Sequence, residues 1–126
     1  MSVATELRRD DMEESILVSI KKLLGIEKNY THFDQDIMMH INSVFMILNQ
    51  LGVGPSEGFF IEGDDMYWED YISDPTQLQA VKTYIYMKVR LIFDPPASSV
   101  VMDSIKQTIS ELEWRLNVSV DPAQSE

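Results

Sequence analysis

The sequence of 126 residues is 44% apolar, contains no cysteine and has a formal net charge of −11 at pH 7. That length predicts one domain with a substantial core, and the lack of cysteine excludes disulfides and thiolate metal sites and favours an intracellular setting. The acidic balance argues against nucleic-acid affinity, and no stretch has the hydropathy expected of a signal peptide or a membrane span.

The first predicted helix begins at Asp10 or Asp11, and Glu14 stands three residues after Asp11 in the relation of a capping box. Gly25 is predicted to end it, because glycine tolerates the left-handed backbone that often follows a helix. Lys21 lies in the last turn, where a cation complements the helix dipole. The predicted buried face consists of Met12, Ile16, Leu17, Ile20, Leu23 and Leu24.

The second predicted helix has Thr31 or Asp34 as its cap and is stopped by Gly52 and Gly54. Apolar residues recur at helical spacing between these limits, which indicates one broad face packed in the core. The members of that face are Ile37, Met38, Ile41, Val44, Phe45, Leu48 and Leu51.

An acidic segment, residues 57–74, follows the second helix and carries seven acids and no base. It belongs to a longer stretch, residues 29–81, that has nine acids and no lysine or arginine. Residues 59–62 and 66–68 flank a turn at 63–65, and this pattern predicts a short β-hairpin that must pack on the helices to be stable. We expect the aromatic side chains of the acidic segment to face protein and its acids to face water.

The third predicted helix is the central one. Ser73 or Asp74 caps it, Pro75 suits its first position, and the proline pair 95–96 ends it. Lys88 falls within the apolar arc and is expected to extend to water or to pair with a carboxylate. Two apolar stripes predict helices packed on two sides, and they consist of Leu78, Val81, Ile85, Val89 and Ile92, and of Ala80, Tyr84, Met87 and Leu91.

The fourth predicted helix is capped by Ser98 or Ser99 and ends at Asn117, with Trp114 to one side of its apolar stripe. That stripe consists of Val101, Ile105, Ile109, Leu112 and Leu116.

Together these elements predict a mainly α fold, a four-helix domain with a small β-hairpin between helices 2 and 3. The single domain spans residues 1–126. We expect a flexible arm at 1–9, a helical body at 10–117 and a flexible C-terminal tail at 118–126.

One cluster has the residue types of a metal site: His32, Asp34, Asp36 and His40. Asp34 is already accounted for as a cap, and no HExxH-type or carboxylate-bridged pattern supports metal binding. The sequence also lacks a serine in a nucleophile elbow and a phosphate-cradling glycine loop. We therefore predict no metal, no other cofactor, no catalytic residue and no enzymatic activity.

The order of several short stretches across residues 12–118 is more informative than any single motif. The longest is 81–96, VKTYIYMKVRLIFDPP, and the others are 22–26 with Tyr30, 36–37, 40–43, 48–54, Trp68 with 70–72, and 111–116. In these stretches the chain resembles the head–tail connector (adaptor or neck) family of long-tailed bacteriophages and prophages.

This resemblance implies a structural virion protein that forms a dodecameric ring of itself beneath the portal protein. The ring would join the phage head to the next neck, stopper or tail protein and extend the channel through which DNA passes without specific binding. The resemblance also implies assembly in the host bacterial cytoplasm, a final place in the virion neck and no membrane partner.

Three sets of candidate residues follow from the resemblance together with the residue pattern. Acids expected at the channel or its rim are Glu62, Asp64, Asp65, Glu69 and Asp70. Aromatic residues expected at subunit contacts, where such side chains are enriched, are Phe59, Phe60, Tyr67, Trp68 and Tyr71. The tail expected to dock on the portal comprises Asn117, Val118, Ser119, Val120, Asp121 and Pro122.

An alternative function is an acidic DNA mimic that inhibits a host DNA-binding protein or nuclease, which the acid density of residues 29–81 permits. Oligomeric state separates the two, since a mimic would usually stay monomeric or dimeric while a connector forms rings. A third interpretation, a small metal-dependent enzyme, depends on the cluster at residues 32–40 alone.

Overall fold

The computed structural model describes residues 14–120, in which helices are joined by turns and loops. The helices are α1 (Ile16–Leu23), α2 (Asp34–Gln50), α3 (Trp68–Tyr71), α4 (Pro75–Phe93) and α5 (Ser99–Val120). The predicted mainly helical class is confirmed. The predicted β-hairpin is wrong, because residues 14–120 contain no strand and only one isolated bridge, between Ser15 and Tyr67.

Helix α4 is central, since it packs against α1, α2 and α5. Asp74 caps it by accepting a hydrogen bond from the Thr76 N–H at 2.9 Å, and Pro75 occupies the first position, as predicted. A core of this kind is built by side chains that recur every three or four residues. Its buried members on α4 are Leu78, Val81, Tyr84, Ile85 and Val89.

One residue of the predicted stripes, Ile92, is exposed, and the prediction for Lys88 was a separate one. Ile92 is 61% exposed, because Phe33 packs on the neighbouring Phe93 instead, with ring centroids 5.3 Å apart. Lys88 is half-buried and forms no ion pair within residues 14–120. Pairing with a carboxylate, the second of the two predicted alternatives, is therefore not observed in the described residues.

Helix α1 begins later than predicted. Ser15 is its N-cap, with the side-chain oxygen accepting from the Val18 N–H at 3.3 Å, and Glu14 precedes the helix. The predicted start at 10–11 lies outside the described residues. A serine side chain is the better cap here because its short hydroxyl reaches the third N–H of the first turn.

The predicted ends of α1 and α2 are confirmed. Gly25 and Gly52 have φ values of +82° and +87°, which glycine adopts without strain. In both cases the N–H of the residue after the glycine donates to the carbonyl five residues earlier, at 2.8 Å after Gly25 and 2.9 Å after Gly52. This is the Schellman motif. Leu23, expected on the buried face, is 45% exposed because it faces outward in the last turn of α1.

Helix α2 has the predicted core face, which is buried or half-buried throughout. The predicted caps Thr31 and Asp34 are wrong. Phe33 takes the N-cap position without a side-chain hydrogen bond, and Asp34 is the first helical residue. The Asp34 carboxylate instead lies 2.8 Å from Lys21 Nζ.

Helix α5 begins as predicted, with the Ser98 side chain accepting from the Val101 N–H at 3.3 Å. Its end is not as predicted, because the helix continues past Asn117 to Val120. Asn117 Nδ2 donates to the Leu51 carbonyl at 3.4 Å, which joins the last turns of α5 to the end of α2. The buried residues of α5 are Ile105, Ile109 and Leu116, whereas Val101 is 42% exposed in the first turn.

Candidate functional site

The acidic segment, residues 57–74, is attached to α2 by aromatic rings. Phe59 and Tyr71 of the segment form a three-ring cluster with the buried Phe45, and the ring centroids lie 5.2, 4.7 and 5.0 Å apart. Tilted and edge-to-face contacts of this kind add to the stability gained from burial alone. As expected, this side of the segment faces protein.

Two asparagines of α2 pair backbone groups of the chain that follows this helix. Asn42 accepts from the Ile61 N–H at 2.7 Å and donates to the Ile61 carbonyl at 2.9 Å. Asn49, two turns further along α2, donates to the Pro55 carbonyl at 3.1 Å. Backbone groups near a core must be paired. Asn42 satisfies that requirement at Ile61, the buried residue of the predicted first strand.

Trp68 anchors the other end of the segment on α1. Its side chain is fully buried, and its indole N–H donates to Ser19 Oγ at 2.8 Å. Ser19 in turn donates to the Ile16 carbonyl at 2.9 Å, and the Ile16 N–H donates to the Met66 carbonyl at 2.9 Å. On α4, Lys82 Nζ lies 5.7 Å from the centroid of the Trp68 indole ring. Of the predicted second strand, Met66 and Tyr67 lead into a short helix that begins at Trp68 and is fixed between α1 and α4.

Tyr71 fixes the path of the chain where it leaves α2. Gly54 has a φ of +84°, and a Cβ at this position would lie 2.5 Å from Tyr71 Cε1. Only glycine allows the backbone to approach the ring this closely. The Tyr71 hydroxyl is buried without a hydrogen-bond partner in residues 14–120, and burial raises the pKa of Tyr71 above its ordinary value.

All five acids predicted at the channel or its rim are exposed to water on the segment: Glu62, Asp64, Asp65, Glu69 and Asp70. Asp70 accepts a hydrogen bond from the Tyr67 N–H at 2.8 Å. Within the described part of the chain, none of the five forms an ion pair. The segment therefore has an apolar side bound to the helices and a side of uncompensated negative charge.

The five aromatic residues predicted at subunit contacts divide into two groups. Trp68 and Tyr71 are buried and Phe59 is half-buried, so these three belong to the core of the chain itself. Phe60 is 60% exposed and Tyr67 is 39% exposed. Of the five, only Phe60 and Tyr67 therefore offer aromatic surface for a contact with another molecule.

The predicted docking tail is in part an extension of α5. The backbone of residues 117–120 is helical, with Asn117 and Val118 half-buried and Ser119 exposed. Asp121 and Pro122 lie outside the described residues. The surface offered by residues 117–119 therefore lies beside the end of α2.

The cluster considered as a metal site does not converge. Within residues 14–120, no group of three or more histidine or acidic side chains is arranged to hold a metal ion. Asp34 lies against Lys21, and the His32 ring packs edge-on against Phe33 with centroids 4.8 Å apart. The geometry gives no support to a metal-dependent enzyme.

Lys21 has a role that the sequence analysis missed. The residue is 1% exposed, and Nζ donates to the carbonyls of Tyr30 at 2.6 Å and Lys28 at 3.1 Å while lying 2.8 Å from Asp34 Oδ1. This ammonium holds the loop after α1 in place. The available signal was its spacing, since Lys21 stands four residues after the buried Leu17 on the same helical face.

A second feature that the sequence did not indicate is an exposed apolar groove between α2 and the acidic segment. We define the α2 groove by its lining side chains of Met39, Ser43, Met46, Phe60 and Glu62. The volume is about 580 Å³. Methionine is more often a filler of the core, but Met39 and Met46 are 59% and 67% exposed.

Comparison with known proteins gives one family. Residues 16–123 match the model of a family described as phage connector protein. The comparisons with curated proteins and with solved structures find no match. The matched range contains all of α1 to α5 and the whole acidic segment.

Proposed function

The chain belongs to the phage connector protein family, and on that premise we propose that it forms a dodecameric ring beneath the portal protein. Membership makes it a structural head–tail connector and a component of the virion. The ring would join the head to the next neck, stopper or tail protein and continue the DNA channel. The observation that carries this proposal is the family match over residues 16–123.

The distribution of charge supports a role beside DNA that does not involve binding it. Cations facing a channel would bind phosphates and release counterions, which would retard a sliding duplex. Acids repel the phosphate backbone, but only within about a Debye length, roughly 8 Å at physiological salt. The five exposed and unpaired acids at residues 62–70 are suited to this task if they face the channel or its rim.

The C-terminal part of the chain is proposed to dock on the portal. Residues 117–119 extend α5 as a helix whose outer side is accessible. The exposed side of a helix can dock in a groove on a partner by its apolar or small residues. In this arrangement the portal would meet the end of α5, while the remaining surface of the ring meets the next neck or tail protein.

Electron microscopy of the purified protein, alone at high concentration and mixed with the portal of the same phage, tests the proposal. We expect twelve-fold rings, either free or bound to the portal. A protein that stays monomeric or dimeric under both conditions contradicts the ring and favours the acidic inhibitor of a host DNA-binding protein. A pull-down of host nucleases or repressors by such a monomer would then support that alternative.

A further inference from the structure

The α2 groove lacks a cover in the described part of the chain. Met39 and Met46 stand two turns apart on α2, and Phe60, which is 60% exposed, rises from the acidic segment beside them. Thioether side chains adapt their shape and make favourable contacts with aromatic rings. The chemistry of the groove therefore suits an aromatic side chain from outside.

An aromatic side chain of that kind lies on α5. Trp114 is 68% exposed and makes no ring contact or hydrogen bond within residues 14–120. Exposed tryptophan is unusual on a monomer surface, whereas tryptophan is enriched among residues that dominate binding energy at interfaces. No contact of Trp114 within residues 14–120 accounts for this side chain.

The two surfaces belong to different helices, and α4 packs against both of those helices. A contact between the α2 groove of one copy and α5 of the next uses two different surfaces. Such a contact is heterologous, and it closes into a ring when the rotation between copies permits. A contact of the groove with itself would be isologous and would stop at a dimer.

Charge favours this pairing over a contact of the groove with itself. Glu62 is the one acid of the groove lining, so a contact of the groove with itself would bring two copies of Glu62 together. On α5, Trp114 is flanked by exposed Glu111 and by exposed Arg115, and Arg115 has no ion pair in the described part and can face Glu62. Opposite charges across an interface favour the correct partner, and like charges disfavour the wrong one.

We propose that Trp114 of one copy inserts into the α2 groove of the neighbouring copy, between Met39, Met46 and Phe60, with Arg115 facing Glu62. This inference rests on the proposed ring and names the surfaces that build it. It places the subunit contact at α5 of one copy and at α2, Phe60 and Glu62 of the next. The acids at residues 64–70 stay free to face the channel.

Cysteine cross-linking tests the contact directly, because the chain has no cysteine of its own. Ser43→Cys places a thiol in the groove, and Ser110→Cys places one on α5 one turn before Trp114. Both serines are exposed, and neither change removes a proposed contact. We expect the double variant S43C/S110C to give a ladder of multimers with a short bismaleimide, both in purified rings and in phage particles assembled with it.

Two controls define the contradicting results. The variant S43C/S99C keeps the groove thiol but moves the other about 16 Å along α5, and we expect no ladder from it. Each single variant alone should give no dimer, while a mixture of the two single variants should give one. Cross-linking of S43C with itself would overturn the inference in favour of groove-to-groove pairing.

Substitution of Trp114 gives a second test, in which ring assembly is measured instead of cross-linking. Trp114→Ser should raise the protein concentration needed for ring assembly by roughly tenfold or more. Val100→Ser, at the other end of α5 and 77% exposed, should leave it unchanged. Rings that form normally with Trp114→Ser, or rings that give no S43C/S110C ladder, overturn this inference but leave the proposed function standing. Failure of the unmodified chain to form any ring overturns both.

Discussion

Helix α4 and the acidic segment are neighbours in sequence, yet their structures have different origins. Helix α4 satisfies its backbone internally, so its apolar stripes alone explain where it packs. The acidic segment has no ladder of hydrogen bonds between strands. Its backbone is paired at Ile61 by the side chain of Asn42, and its position is set by Trp68 and Tyr71.

The difference teaches that an irregular segment can be as firmly part of the core as a long helix. Trp68 and Ile85 are both fully buried, although one lies in a four-residue helix and the other at the centre of α4. If burial rather than regularity governs stability, both sites should respond strongly to truncation. The outward side of the same segment should respond hardly at all.

The largest effect is expected for Trp68→Ala. Loss of the buried indole should lower the free energy of unfolding by about 3–5 kcal/mol, and it also leaves the Ser19 hydroxyl without its donor. Denaturant unfolding measures the change. Trp114→Ala is the matched control, because that indole is 68% exposed and its loss should have little effect on the monomer. Equal effects at the two sites would contradict the proposed anchoring of the segment.

Ile85→Ala tests the other side of the comparison. Removal of this side chain from the centre of α4 should lower the free energy of unfolding by about 2–5 kcal/mol. Ile92→Ala removes the same atoms from a site that is 61% exposed and should change stability far less. Thermal melts showing a change of only a few tenths of a kcal/mol for Ile85→Ala would mean that α4 is not central.

Gly54→Ala tests the close approach of the chain to Tyr71. Alanine at a positive φ costs about 1–2 kcal/mol wherever it occurs. At Gly54 the new Cβ would also lie 2.5 Å from the Tyr71 ring, whereas at Gly25, with a similar φ, it meets no atom within 4 Å. Gly54→Ala should therefore destabilise more than Gly25→Ala. Equal losses in denaturant unfolding would show that the ring moves aside without cost.

The buried tyrosines predict sensitivity to alkali. Burial raises the pKa of Tyr71, and burial together with the hydrogen bond to Glu113 raises the pKa of Tyr84. Both phenols stay protonated in the folded chain after they would ionise in the unfolded one. The stability they contribute is complete below the unfolded pKa of about 10 and is lost as pH rises above it.

Tyr71→Phe supplies the matched control for this pH dependence. The Tyr71 hydroxyl has no hydrogen-bond partner in residues 14–120, so its removal should cost little at neutral pH. It should also reduce the slope of unfolding free energy against pH above pH 10. An unchanged slope would mean that Tyr71 is accessible to solvent in the folded protein.

Much of this fold followed from the sequence because helix signals are local. The cap at Asp74, the prolines around α4 and the glycines after α1 and α2 act within one or two turns of where they stand. The hairpin prediction was wrong because the contacts found in its place join residues that are far apart in the sequence. Asn42 pairs with Ile61, nineteen residues away. The sequence around a helical asparagine does not indicate which distant backbone group its amide binds.

The candidate site was predictable only in its charge. The acids of residues 62–70 are exposed as their composition indicates, because charged groups without partners stay in water. Burial of Trp68 and Tyr71, and exposure of Met39, Met46 and Trp114, follow from which helices meet. Single-sequence periodicity does not specify that arrangement, so the α2 groove became visible only in three dimensions.

The smallest effect on stability is expected on the outward side of the acidic segment. Changing Asp64, Asp65 and Glu69 to lysine should leave the fold and the ring intact, because all three side chains are exposed and none lines the α2 groove. The altered ring should retain duplex DNA at low salt, since lysines facing the channel would bind phosphates. A filter-binding assay measures retention. If the altered ring releases DNA as the unmodified ring does, these acids do not face the channel.

Omission of the chain during phage assembly tests its role as a head–tail connector most directly. Cells that supply every other head and tail protein should then accumulate heads and tails that are not joined, and adding the chain in trans should restore tailed particles. Electron microscopy of the lysate counts joined and unjoined particles. Tailed, infectious particles that form in normal number without this chain would contradict the account.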